Sequence, residues 1–174
     1  MRNIMHAALL LLLAATLTGQ TGEWKRYRNV DGNFTVLFPG EPTDTVNKTG
    51  NESQSHNLMV QTASGFYLVV YVTNTAAQPV DEATFRVYRD SFLQGLPQCT
   101  MDSEKAANPA VAALIGRWYR LTCNESGTKV AMEGNLYWGK HYAYAVLVMN
   151  SITAPQPEGE QKFLDSFSMI DTRQ

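Results

Sequence analysis

Along most of this chain apolar and polar positions alternate with the period-two rhythm of β-strands, most regularly between Leu114 and Met149. Three consecutive strands are predicted there: Leu114–Cys123, Lys129–Trp138 and His141–Met149. They are joined by Asn124–Gly127 and by Gly139-Lys140, and Gly between apolar runs signals hairpins. In the middle strand Val130, Met132, Leu136 and Trp138 share one side, while Lys129, Glu133, Asn135 and Tyr137 share the other. That pattern predicts a strand with one wet face. The third strand is apolar on both sides for most of its length, so both of its faces should be covered.

The same reading extends to the rest of the chain. Glu23–Tyr27 reads as a short edge strand, and Asp31-Gly32 turns into a strand at Phe34–Phe38 that ends at Pro39-Gly40-Glu41-Pro42. Polar residues from Thr43 to Ser55 suggest an extended edge or an exposed loop. His56–Thr62 alternates again, and after Ala63-Ser64-Gly65 the run Phe66–Val72 is a second strand apolar on both faces. The period then changes: Phe85, Tyr88, Phe92 and Leu96 fall on one helix face. Asp81 is placed to cap this helix, Glu82 favours its positive end, and Gly95 with Pro97 stops it. Its aromatic row reads as a core stripe. Cys99–Glu104 suggests a short strand, and Glu158–Ser168 a final helix presenting Phe163, Leu164 and Phe167. Two helices over a sheet with doubly apolar central strands predict an α+β fold: an antiparallel β-sheet flanked by helices, an α/β/α sandwich. The alternative is a curled sheet or cup with one helix outside.

Composition narrows the address and the partners. Residues 1–20, with Arg2, the run Leu9–Leu13 and a small-residue tail, read as a signal peptide cut near residues 18–22, a retained membrane anchor being the alternative. No Cys stands at that junction, which disfavours a lipoprotein anchor. Residues 21–174 then form a single domain, secreted or periplasmic, with no second apolar segment approaching about 18 residues. The formal net charge is −2 and the charges are scattered, without the basic stripe that nucleic acid requires. Cys99 and Cys123 suit one disulfide, free buried thiols being the alternative; with His56 and His141 they make a poor zinc set. If the strands carrying the two Cys pair about a turn near Val111, the two lie directly opposite. Four sequons begin at Asn33, Asn47, Asn51 and Asn124, and chance matches in a bacterial protein explain them most simply.

Several segments together resemble a family. Trp24 and Tyr27, the run Asp31–Pro42 with its Phe-Pro-Gly-Glu-Pro, the strand Tyr67–Val72 and the closing Phe163–Phe167 stand in the order found in small exported bacterial proteins of the PsbP-like group. The group takes its name from an extrinsic subunit of photosystem II. The resemblance implies an α/β/α sandwich and a non-enzymatic role in protein binding or complex assembly. No functional residue of that subunit maps onto this chain by position.

A search for chemistry finds no nucleophile elbow, P-loop, dinucleotide fingerprint, zinc-protease motif or calcium loop. No catalytic residue, cofactor or metal is therefore assigned. One reading is a non-catalytic binding or assembly module whose partner is another envelope or secreted protein. Its candidate contact residues are Trp118, Trp138, Lys140, His141 and Tyr142, because Trp and Tyr give large contact area for few rotatable bonds. In the alternative, a small molecule or lipid binds between sheet and helix, in a pocket of about 300 Å³ or more rimmed by Trp118, Trp138, His141 and Tyr142. Trp138 has a plainer reading as well, as core folded over the Phe163/Phe167 helix.

Overall fold

The computed structural model describes residues 23–49, 53–63, 65–74, 76–108, 111–125, 127–151 and 157–171. The expected signal peptide at 1–20 and the sequon at Asn51 lie outside them. In chain order the elements are β1 (Lys25–Asn29), β2 (Phe34–Phe38), β3 (Thr43–Thr49), β4 (Ser53–Thr62), β5 (Gly65–Thr73) and α1 (Glu82–Gln94). There follow β6 (Cys99–Ala106), β7 (Ile115–Glu125), β8 (Thr128–Trp138), β9 (Tyr142–Ser151), α2 (Pro157–Asp165) and β10 (Ser168–Met169).

Seven strands form one antiparallel sheet in the order β3-β4-β5-β9-β8-β7-β6. The two strands that read as apolar on both faces, β5 and β9, pair at its centre, Tyr67 opposite Val148 and Val69 opposite Val146. The polar stretch after Pro42 is the edge strand β3, held by a ladder from Thr43↔Met59 to Thr49↔Ser53. Gly134 in β8 has φ +154°, and a Cβ there would lie 2.0 Å from the Val146 carbonyl oxygen of β9. Only glycine lets the two backbones approach so closely.

One face of this sheet is covered by α1. Asp81 caps it as the sequence predicts, its Oδ1 accepting the Thr84 amide at 2.8 Å. Phe85, Phe92 and Leu96 pack on Tyr119, Leu121, Met132, Leu136 and Leu147. The other face carries α2 together with a second antiparallel sheet of order β1-β2-β10. Phe34, Val36, Phe38, Phe163, Leu164 and Phe167 there meet Leu58, Tyr67, Tyr71, Tyr137, Tyr144 and Val146 of the large sheet. Phe34 is ringed by aromatics, with centroids 5.6 Å from Tyr71, 5.9 Å from Tyr144 and 5.5 Å from Phe167.

Two expectations are corrected. The fold is β-rich and is not a helix-flanked α+β sandwich: strands make up 57% of the described residues and helices 16%. The count of helices is right, but a large part of the second covering layer is a sheet. Its strands β1, β2 and β10 come from the two ends of the described chain, a pairing that no local periodicity encodes. The second correction concerns β8. The side carrying Glu133, Asn135 and Tyr137 is not a wet face: Asn135 and Tyr137 are fully buried and Glu133 is half-buried, because α2 and the small sheet lie over them. Asn135 stays hydrogen-bonded there, its Oδ1 accepting the Asn108 amide at 3.3 Å and its Nδ2 donating to the Asn108 carbonyl at 3.0 Å.

Cys99 and Cys123 form a disulfide between directly opposite residues of β6 and β7, their Cα atoms 3.9 Å apart. Cys123 is buried, and the bridge is consistent with an oxidising, extracytoplasmic environment. Among the described residues, no helix is long and apolar enough to cross a membrane.

Candidate functional site

The residues singled out from the sequence gather mainly at the β8–β9 turn. Gly139 donates its amide to the Tyr142 carbonyl at 2.9 Å, closing the turn. The segment leading to α1 then docks on it: the amides of Asn74 and Gln78 donate to the carbonyls of His141 and Lys140, both at 2.8 Å. Trp138 takes part in the same clamp. Its indole Nε1 donates to the Pro79 carbonyl at 2.8 Å, and its ring lies 5.4 Å from that of Tyr88 on α1. Trp138 therefore packs on the α1 side, away from Phe163 and Phe167. Tyr142 stacks on Tyr144 at 5.8 Å on the opposite side, Lys140 is exposed and His141 is half-buried.

Trp118 is not part of this group. It stands opposite Asn135 in the β7–β8 ladder, whereas Trp138 stands opposite Ile115. Positions 135 and 138 of one strand point to opposite faces, so the two Trp side chains cannot rim one pocket. Lys105 lies over the Trp118 ring, 4.1 Å from its centroid.

A second constellation escaped the sequence reading. Glu133 on β8 stands opposite Arg120 of β7 and Val148 of β9, and it hydrogen-bonds the carboxyl of Glu160 in the first turn of α2. Asn150 of β9 donates from Nδ2 to Glu160 Oε1. Its Oδ1 lies against Gly65, where a Cβ would come within 1.9 Å, and has no hydrogen-bond partner among the described residues. A cavity of about 90 Å³ opens among Arg120, Ala131, Glu133, Asn150 and Glu160. Burial, the hydrogen bond to Glu160 and the charge of Glu160 push the Glu133 carboxyl up to about 7, against the opposing charges of Arg120 and Lys105.

Separate alternation signals in β8 and in the last helix could not have revealed this pair. Glu133 and Glu160 are brought together only when α2 folds across β8 and β9. Elsewhere, burial pushes the Tyr71 hydroxyl up to about 12, and the hydroxyls of Tyr88, Tyr119, Tyr137 and Tyr144 higher still. Tyr144 donates to the Gly32 carbonyl at 2.8 Å and Tyr119 to Glu104 Oε1 at 3.2 Å. Among the described residues, no group of three or more His, Cys, Asp or Glu side chains could hold a metal ion. No protein-family model matches the chain, and no curated protein matches it either.

Proposed function

We propose that this is an exported, non-catalytic binding module, secreted or periplasmic after loss of residues 1–20, that engages another envelope or secreted protein through the Gly139–Tyr142 turn. The resemblance of residues 31–42 to exported PsbP-like proteins is part of the same proposal. The observation that carries it is the backbone clamp on the turn. Two backbone hydrogen bonds from Asn74 and Gln78 hold Lys140 and His141 in place while leaving the Lys140 side chain in solvent. A contact surface held in one conformation loses little entropy on binding.

The test is capture from the source envelope or culture fluid, comparing wild type with the double variant Lys140→Glu/His141→Ala. Both clamping hydrogen bonds use backbone carbonyls, so the variant keeps them, and its stability should stay within about 0.5 kcal/mol of wild type. Recovery of the partner should fall at least ~10-fold, the loss expected when a charge is reversed inside a contact. Undiminished capture by a folded double variant would refute the turn as the binding surface.

A further inference from the structure

We propose that Glu133 and Glu160 form a proton-operated latch, which holds the first turn of α2 on β8 and β9 in mildly acidic surroundings and loosens it as pH rises through neutrality. The proposal is independent of what the protein binds. It begins from geometry: two carboxyls on different elements meet beside a cavity, one half-buried and the other only 8% exposed. Two carboxylates in contact repel each other, so the contact holds only while a proton bridges them. Asn150 sets the direction of that bridge. Its Nδ2 is turned to Glu160 at the expense of an unpartnered Oδ1, so Glu160 serves as the acceptor and Glu133 brings the proton. The N-terminal turn of a helix also favours an acidic acceptor at Glu160.

Each element around the pair bears on it. Glu160 faces Glu133 from α2, Arg120 from β7 and Lys105 from β6, while β9 contributes the uncharged Asn150 and Val148. The two cations are exposed and screened by solvent, so they reduce the effect without cancelling it. The latch acts on one end of the helix. Farther along α2, Phe163 and Leu164 are anchored in the aromatic core, whereas the first turn rests on the carboxyl pair and on the packing of Gly159 against Tyr67 and Trp24.

The sign follows from the shift. Glu133 rises from its ordinary 4.5 to about 7 in the folded protein, so between those values the folded state holds a proton that the unfolded state has lost. The contribution is complete below the lower value, declines with rising pH and is gone above the upper one.

Amide hydrogen exchange of residues 161–163, whose amides a helix starting at Pro157 bonds to the carbonyls of its first turn, tests the idea on the purified protein as protection factors from pH 5 to pH 8. Wild-type protection should fall about 10-fold over that range, after allowing for partial exposure of Glu133. In Glu133→Gln, whose amide donates to Glu160 at every pH, protection should change less than about twofold and at pH 8 should exceed wild type. Arg120→Ala removes a charge that opposes the raised value, so it should move the midpoint of the wild-type decline to higher pH. Flat wild-type protection, an unaltered decline in Glu133→Gln, or a midpoint that stays or falls in Arg120→Ala would overturn the latch.

Discussion

On one face of the seven-stranded sheet a single continuous helix, α1, lays Phe85, Phe92 and Leu96 across β7, β8 and β9. On the other, three short strands and α2, drawn from residues 25–38 and 157–169, converge on an aromatic core around Phe34. The first cover is local and almost purely apolar within. The second is assembled from chain segments more than a hundred residues apart, and it buries polar groups that must find partners. Asn33 is buried with φ 55° and pairs its amide with both backbone groups of Asp171, at 2.9 and 3.0 Å. Asn135 does the same with Asn108, and Asn150 meets Glu160. Such groups stabilise only when they find partners, so the second face depends on specific polar pairings as well as on apolar packing.

Truncating one aromatic on each face tests this contrast most strongly. Phe34→Ala should cost about 4–5 kcal/mol, because its cavity is walled by four packed segments that cannot close up, whereas Phe92→Ala should cost about 3 kcal/mol, since a single helix can settle inward. Urea unfolding of the two variants decides it, and a larger loss at Phe92 would break the comparison.

The disulfide belongs to the α1 side, where Cys123 packs in the core beneath the helix. It closes a sequence separation of 24 residues. Replacing both residues, Cys99→Ser/Cys123→Ser, should lower stability by about 3.5 kcal/mol on the chain-entropy account. Thiol titration of the unfolded, unreduced wild type should find no free thiol.

A smaller effect is expected from Asn135→Ala on the opposite face. It leaves the Asn108 amide and carbonyl without their partner and should cost about 1–3 kcal/mol, with faster hydrogen exchange near Asn108. If Asn135→Ala were neutral, the polar contacts of that face would be incidental to its geometry.

The two faces also differ in how far the chain announces them. The α1 face was legible: the three-four-four spacing of Phe85, Tyr88, Phe92 and Leu96, the Asp81 cap and the Gly95 stop all reappear in α1, and Cys99 pairs with Cys123 in the expected register. These features depend on contacts within a helix turn or across one hairpin. The opposite face was not. Period-two alternation marks which residues of β8 share a side, but not whether that side is wet. Glu133, Asn135 and Tyr137 read as exposed because two of the three are polar, and their cover comes from distant segments. The candidate site divides the same way, since Trp138, Lys140, His141 and Tyr142 are neighbours in sequence whereas Glu133 and Glu160 are not.

By itself, then, the chain's patterning marked the central places of β5 and β9, the helix α1, the facing positions of the two cysteines and the strands other than β3, left open between edge strand and loop, and β10, whose Ser168 it assigned to the last helix. Only the tertiary structure decided that β1, β2 and β10 form a second sheet, that the fold is β-rich, that Trp118 and Trp138 lie on opposite faces, and that the carboxyls of Glu133 and Glu160 meet. Those features require distant segments to meet, and burial of a polar residue is set by what packs over it as much as by what it is.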